Sequence, residues 1–289
     1  MLQKIDFIAV KYGLKQLTKE CCSTLDELKK INQFCQNQGL FAISNKVKRK
    51  NSVFNKEIFF DIYISKDKKI AQRFAKEDPE YSNFATVSQL RDFSEALGYP
   101  KCCIDNYLNF DVGNYDEKTK KEILFKRITE KKKNFLLNNF LYGLNFSLSF
   151  YQPCSYHCKN ALKYNKNILE AVRKENPNYA AEIEKNLRFP LLIWFDALQD
   201  SDANDFFHKR IQLLFKGVVN NSSIYYKDVI LYRKYPRCND SFKENQLKEF
   251  LLGTHCLVSN DKITIFKRNK ILKKLKINNK YHAVLVKFN

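Results

Sequence analysis

The stretch that organises this chain is Glu95-Ala-Leu-Gly-Tyr-Pro-Lys-Cys-Cys-Ile-Asp105. The apolar spacing before it predicts a helix over Ser88–Leu97, with Ser88 as its N-cap. Gly98 suits a helix end that needs a left-handed residue, and Pro100 suits the first turn of a new helix. Cys102 and Cys103 are therefore expected in that first turn, where free N–H groups and the helix dipole favour thiolate over thiol.

A second Pro-Cys element follows about fifty residues later, as Tyr151-Gln-Pro-Cys-Ser-Tyr-His-Cys158. Pro153 predicts another helix start, with Cys154 in its first turn and Cys158 one turn further along the same face. His157 is an alternative ligand on that turn. The two elements together predict that Cys103 and Cys158 face each other across two packed helices, with Cys102 and Cys154 nearby.

Two interpretations of these cysteines remain open. Thiolates near helix N-termini suit a zinc ion, an iron–sulfur cluster or thiol redox chemistry, and Glu95 or His157 can complete a metal shell. Buried cysteines also serve as small hydrophobic residues, and the spacing is not that of a Cys-x-x-Cys zinc knuckle. Neighbouring cysteines on a helix point about 100° apart, which argues against both serving one site.

The same residues resemble a known family. Gly98-Tyr99-Pro100-Lys101-Cys102-Cys103 and Pro153-Cys154-Ser155-Tyr156-His157-Cys158 look like the signature of an uncharacterised prokaryotic family, a domain of unknown function, and Glu95 fits the same pattern. The resemblance implies a shared site that includes Tyr99. It implies no reaction, so it leaves open whether the protein is an enzyme.

Charge gives the alternative function. The formal net charge is +20, which favours a basic nucleic-acid-binding protein with structural cysteines. However, arginine is scarce beside lysine, and a genome rich in A and T supplies lysine codons without any function. The candidate contacts are two basic stretches, Lys46, Lys48, Arg49 and Lys50, and Lys131, Lys132 and Lys133.

The chain also allows predictions of location and size. Nine cysteines, no run of about 18 apolar residues and no signal-peptide pattern predict a cytoplasmic protein without a membrane span. Its 289 residues are enough for two or three subdomains. The predicted division is an α/β unit over 1–86, a helical core with both Pro-Cys motifs over 87–189, and a β-rich region over 190–289.

Periodicity predicts an α+β fold. The N-terminal unit is predicted as α-β-β-α, the middle as helical and the C-terminal part as β-rich. Asp116 is expected to cap a long helix that runs to about Tyr142, and residues 206–215 are expected to be helical. The other predicted helices begin after Thr24 and cover Lys68–Lys76, Leu162–Val172 and Ala180–Leu187. The predicted strands cover Phe41–Val47, Glu57–Ser65 and Pro190–Phe195, with four more after Ser223.

Overall fold

The computed structural model describes residues 4–48, 58–79, 85–111, 115–144, 146–148, 150–195, 210–233, 244–259, 261–277 and 283–288. It confirms the α+β class with a β-rich C-terminal part. The chain divides into two compact units that interleave along the sequence. The first consists of residues 1–114, 148–154 and 158–181, and the second of residues 115–147, 155–157 and 182–289.

The first unit contains a three-stranded antiparallel sheet in the order β1-β3-β2. Its strands are β1 (Thr18–Cys22), β2 (Phe41–Lys48) and β3 (Ile58–Ser65). The strands β2 and β3 and the helix α3 (Lys68–Lys76) occur where the sequence predicts them. The first helix, α1 (Lys4–Lys11), and β1 were not predicted.

Helices cover both faces of this sheet because the side chains of β3 alternate between two apolar layers. Ile62 and Ile64 pack with residues of α1 and of α2 (Leu25–Asn37), including the buried Cys35. Tyr63 points the other way and packs with residues of α3 and α4 (Val87–Ala96). The period of two in the strand thus produces a helix–sheet–helix arrangement.

Side-chain caps set the starts of these helices. Thr24 accepts a hydrogen bond from the backbone N–H of Glu27, as its sequence context predicts. The predicted cap at Ser88 is wrong, because Thr86 caps α4 in a complete capping box with Gln89. The first unit also contains α5 (Lys101–Asp111), α7 (Lys159–Glu175) and the beginning of α8 (Pro177–Leu187).

The long helix predicted from Asp116 to about Tyr142 is only half correct. Asp116 does cap α6 (Glu117–Ile128), accepting from the N–H of Thr119. The helix then ends, and two short 3-10 helices follow at Phe135–Leu137 and Asn139–Leu144. The Asn134 side chain accepts from the N–H of Leu136, which starts a new short helix and does not continue the old one.

The second unit is built on a seven-stranded antiparallel sheet in the order β10-β4-β5-β6-β7-β8-β9. Its inner face packs residues such as Phe215, Ile224 and Ile265 around Phe250 of the helix α9 (Glu244–Leu252). The strands are β4 (Leu191–Phe195), β5 (Arg210–Asn220), β6 (Ser223–Arg233), β7 (His255–Val258), β8 (Lys262–Lys267), β9 (Lys270–Lys276) and β10 (Ala283–Val286).

The predicted helix over residues 206–215 is wrong where the structure describes it. Residues from Arg210 onward form β5, which pairs along its length with β6. Burial of Leu213 and Phe215 on one face decides this, since tertiary pairing overrides a weak local helix preference. Residues 206–209 lie outside the described part. No helix in the described residues is both long enough and apolar enough to cross a membrane.

Candidate metal centre

Gly98 and Pro100 place the first cysteine pair as predicted. Gly98 has φ +81°, a conformation that favours glycine, and its N–H donates to the carbonyl of Glu95 at 2.9 Å. The carbonyl of Pro100 accepts from the N–H groups of Cys103 and Ile104, at 2.8 and 3.0 Å, which starts α5. Cys102 and Cys103 therefore lie in the first turn of that helix.

The second element differs from its prediction. Residues 154–157 form bends and a turn and no helix, and α7 begins only at Lys159. Cys158 is the N-cap residue of α7. Pro153 therefore does not open a helix, and Cys154 and Cys158 do not share a helical face. A tight turn brings them together instead.

The four cysteines converge. The Sγ atoms of Cys102, Cys103, Cys154 and Cys158 all lie within 4.8 Å of one another. The Sγ of Cys158 is 3.5 Å from that of Cys102 and 3.9 Å from that of Cys103. The predicted approach of the Cys103 and Cys158 sulfurs, with the other two nearby, is confirmed. The predicted helical setting of the second element is not, because Cys158 is only the N-cap of α7 and Cys154 lies before it in a turn.

Cys102 and Cys103 contribute to one cluster, although the separation of about 100° between neighbouring helical residues predicted otherwise. Side chains in a helix tilt toward its N-terminus, and no preceding turn lies in their way at the first turn. Cys102 and Cys103 therefore both reach the space ahead of α5, although their Cα–Cβ bonds diverge. Cys103 is buried and the other three cysteines are half-buried, so the cluster has an inner and an outer side.

The expected preference for thiolate is not seen at Cys103 or Cys158. A hydrogen bond with the Cys154 thiol, together with burial, raises the pKa of Cys103. Burial also raises the pKa of Cys158, although the backbone N–H of Ala161 acts in the opposite direction. Crowding four ionisable sulfurs opposes multiple negative charges, and a cation among them reverses that preference.

Further polar groups donate to the sulfurs, in addition to the Ala161 N–H at Cys158. The backbone N–H of Cys154 donates to the Sγ of Cys103, and the Asn160 side-chain amide donates to the Sγ of Cys102, each at 3.5 Å. Such donors stabilise negative charge on thiolate ligands and orient them. Asn160 was not predicted as a site residue. The signal that points to it is its position two residues after Cys158, in the first turn of α7.

Tyrosines form one wall beside the cluster. The ring of Tyr99 lies 4.7 Å from that of Tyr151, which in turn lies 6.3 Å from the ring of Tyr164. Burial, followed by the nearby Cys103 sulfur, raises the pKa of Tyr151. Tyr99 thus packs against Tyr151, which adjoins the Cys103 thiol. Neither Tyr151 nor Tyr164 was predicted as a site residue.

Two predicted ligands lie apart from the four-cysteine group. The side chain of Glu95 is exposed on α4, and the residue acts through the backbone bond to Gly98. His157 belongs to the second unit, where its exposed ring has Nδ1 3.5 Å from Oε2 of Glu130. Neither belongs to the set of ligand atoms that converge within 4.8 Å.

The basic residues of the alternative function have different environments. Lys46 is exposed on β2, where Lys48 also lies, while Arg49 and Lys50 are outside the described residues. Lys131 and Lys132 are exposed, but Lys133 is buried and its Nζ donates to the carbonyl of Glu130. Burial lowers the pKa of Lys133 to about 8. A buried amine is not available to a phosphate, so Lys133 is a weak candidate contact.

Comparison with known families matches residues 55–188 to the family described as "Protein of unknown function (DUF483)". The match confirms the resemblance to a family of unknown function, and the matched segment contains all four clustered cysteines. The chain matches no curated protein and no solved structure. The geometry of the cysteine cluster is therefore the basis for a functional proposal.

Proposed function

We propose that this protein binds one zinc ion through Cys102, Cys103, Cys154 and Cys158. The observation that carries the proposal is the convergence of the four Sγ atoms within 4.8 Å. Thiolate sulfur is a preferred ligand of zinc, and four cysteines make the closed shell of a structural site. The proposal takes the protein to be cytoplasmic, where thiols stay reduced and available to a metal.

The sulfur spacing favours a single ion. A tetrahedral shell with zinc–sulfur bonds of about 2.3 Å places its sulfurs about 3.8 Å apart. The distances from Cys158, 3.5 Å to Cys102 and 3.9 Å to Cys103, lie on either side of that value. An iron–sulfur cluster distributes its thiolates over several iron atoms and so holds them further apart. The four sulfurs therefore need to move less to bind one zinc ion than to bind an iron–sulfur cluster.

The surroundings suit a negatively charged complex. Four thiolates around Zn²⁺ carry a net charge of −2, and the positive ends of α5 and α7 both face the cluster because its ligands sit at their N-termini. The Cys154 N–H and the Asn160 amide add direct donors. With four sulfurs present, the shell needs neither Glu95 nor His157.

Thiol redox chemistry is the second candidate, and the 3.5 Å separation of the Cys102 and Cys158 sulfurs favours it. An oxidant that accepts two electrons, such as a peroxide, would convert these two thiols to a disulfide and itself be reduced to water. The same four cysteines serve both functions. The experiment must therefore distinguish a bound metal from a reactive thiol pair.

Cobalt titration of the metal-free, reduced protein makes this distinction. A Co²⁺ ion in a tetrahedral four-thiolate shell gives intense visible absorption, and we expect this signal to saturate at one equivalent and to reverse on addition of zinc. Cys103→Ser should lose the four-thiolate spectrum. Cys35→Ser, which changes an equally buried cysteine outside the cluster, should keep it.

The outcomes separate the two candidates. Saturation at one equivalent supports the zinc site. Absence of tetrahedral absorption, combined with rapid formation of a Cys102–Cys158 disulfide under peroxide, would overturn it in favour of redox chemistry. Absence of both would leave the cysteines as packing residues.

A further inference from the structure

The outer face of the large sheet carries a column of stacked rings. Tyr225 of β6 and His255 of β7 have ring centroids 5.0 Å apart at an interplanar angle of 18°. His255 and Phe266 of β8 are 4.6 Å apart at 1°. The three residues are direct neighbours in the strand register, so the column crosses three strands. We call these three residues the ring column.

The column has an open end. Tyr225 is 47% exposed, and its neighbour on β5 in the register is Val218, which is 67% exposed and small. The outer side of the Tyr225 ring is therefore accessible to another flat ring. A base placed there continues the column, and base–aromatic stacking of this kind tolerates any nucleotide because every base has a π-face.

Beside the ring column lies a hairpin of one charge sign. Strands β8 and β9 and their turn read Lys262-Ile-Thr-Ile-Phe-Lys-Arg-Asn-Lys-Ile-Leu-Lys-Lys-Leu-Lys276, with seven cationic side chains and no acidic one. All seven are exposed. Within the described part of the chain, only Lys262 among them has a carboxylate within ion-pair distance, that of Asp261 at 3.7 Å. We call residues 262–276 the basic hairpin.

The register places like charges opposite each other in this hairpin. Lys262 pairs with Lys276, and Lys267 pairs with Lys270. Directly opposed like charges destabilise an antiparallel pair, and a bound polyanion relieves that repulsion. Lys262 and Lys276 share the face of Phe266, because residues an even number apart on a strand, and their register partners, lie on one side of a sheet. Lys274, paired with Thr264, is on that face by the same rule.

We propose that this face binds single-stranded nucleic acid, with a base stacked on Tyr225 at the end of the ring column and phosphates held by lysines of the basic hairpin. Accessible aromatic rings next to unpaired cations are the combination that recognises unpaired strands. This surface differs from the basic stretches around Lys46 and Lys131, and it does not depend on the metal site.

The test measures binding of a fluorescein-labelled single-stranded DNA oligonucleotide to the full chain by fluorescence anisotropy, between about 50 and 200 mM salt. Tyr225→Leu should weaken binding about fivefold or more without changing the salt dependence, because stacking carries no charge. Tyr115→Leu is the matched control, since Tyr115 is 48% exposed and precedes α6, so that it belongs to no strand of the sheet. It should bind as the wild type does.

Charge is tested separately. The double variant Lys274→Gln, Lys276→Gln should reduce the slope of log affinity against log salt by about 1.4, or about 0.7 for each phosphate that is no longer neutralised. The control Lys185→Gln, Lys248→Gln removes the same charge from exposed positions on α8 and α9 and should leave the slope unchanged. Thermal unfolding of each variant verifies that it is folded.

Three results would overturn the proposal. One is equal loss of affinity in the two double-lysine variants, which means diffuse attraction by the whole basic chain. Another is equal affinity for the single strand and for a duplex of the same sequence, which removes the role of stacking. The third is binding to phosphatidylserine vesicles with none to the oligonucleotide, which assigns the face to an anionic membrane surface.

Discussion

The chain contains the dipeptide Cys-Cys twice, and the two copies have opposite environments. Cys21 and Cys22 lie at the end of β1, where successive side chains point to opposite faces, so Cys21 is exposed and Cys22 is buried. Cys102 and Cys103 lie in the first turn of α5, and both sulfurs reach one cluster. The backbone around a cysteine pair therefore decides whether it can act as a pair.

The pKa values of the cysteines in the two regions are raised by different causes. Cys22 packs in the apolar layer of the small sheet, and burial raises its pKa. Cys35 belongs to the same layer, and burial raises its pKa to about 12. At Cys103 the first cause is a second thiol, that of Cys154. A cation bound by both sulfurs removes the effect of a neighbouring thiol, but it does not remove the effect of burial in an apolar layer.

Removal of zinc should produce the largest difference between the two regions. A ligand at a thousand times its Kd stabilises a folded protein by about 4 kcal/mol, so a chelator should lower the free energy of unfolding of the wild type by a similar amount. Urea denaturation at fixed pH measures this change. Cys22→Ser should respond to the chelator as the wild type does, whereas Cys103→Ser should not respond. Identical wild-type curves with and without chelator would contradict a stabilising metal.

Substitution of the glycine in the turn before each cysteine pair should give the next largest difference in stability between the two regions. Gly98 has φ +81°, and an added Cβ would lie 2.7 Å from the Tyr164 hydroxyl and 2.8 Å from the Cβ of Lys15. Gly98→Ala should therefore cost about 2–4 kcal/mol, from left-handed strain and overpacking together, and should reduce metal affinity by shifting the start of α5.

Gly13, in the turn before β1, is the matched control for Gly98. It has φ +70° but nothing within 4 Å of an added Cβ. Gly13→Ala should cost only the strain, about 1–2 kcal/mol, and keep the metal affinity. Equal losses at the two glycines, measured by urea denaturation, would show that the packing around Gly98 does not position the cysteines.

The pH dependence of the free energy of unfolding should show that Glu20 of β1 takes up a proton on folding, independently of any metal. Burial raises the pKa of Glu20 from 4.5 to about 7, while the charge of Lys15 partly opposes this. Between these two pH values Glu20 holds a proton in the folded state that it has released in the unfolded state, so its contribution to stability falls as pH rises and is constant above pH 7.

Glu20→Gln removes this group from titration. Below about pH 4.5 the free energy of unfolding of the variant should follow that of the wild type. Above pH 7 the variant should be more stable by about 1–3 kcal/mol, after allowance for partial exposure. Chelator should leave this difference unchanged, since Glu20 is not a ligand. A parallel pH profile for the two proteins, measured by denaturation at a series of pH values, would refute the raised pKa.

Substitution within the first pair should have the smallest effects. The Sγ of Cys22 lies 3.6 Å from the carbonyl of Thr24, a contact that a serine hydroxyl can keep. Cys22→Ser should cost about 1 kcal/mol, and the exposed Cys21→Ser less than about 0.5 kcal/mol. A loss of several kcal/mol in either variant would mean that β1 also has a cooperative cysteine site.

The sequence predicted the cysteine cluster better than the structure around it. Proline and glycine are strong local signals, so Gly98 and Pro100 indicated the start of α5 correctly. Pro153 gave the same signal, but the chain forms a turn after it. The cluster survives this error because a turn brings Cys154 and Cys158 together as well as a helix would.

The errors elsewhere come from contacts distant in sequence. The strand β5 was predicted as a helix because its pairing with β6 is not visible in its own residues. The strand β9 was missed because it is an edge strand rich in lysine, with little alternation of apolar residues. The alignment of Tyr225, His255 and Phe266 depends on the register of three strands, which no single segment specifies.

Zinc content after anaerobic purification, measured by mass spectrometry of the metal and expressed per chain, tests the central claim most directly. Two double variants make the comparison: Cys102→Ser with Cys103→Ser, and Cys21→Ser with Cys22→Ser. The account predicts about one zinc per chain in the wild type and in the β1 variant, and almost none in the α5 variant, since two of four ligands are removed. Equal metal content in the two variants would contradict this claim. So would a wild type that is purified without zinc and whose reduced form takes up none when zinc is added.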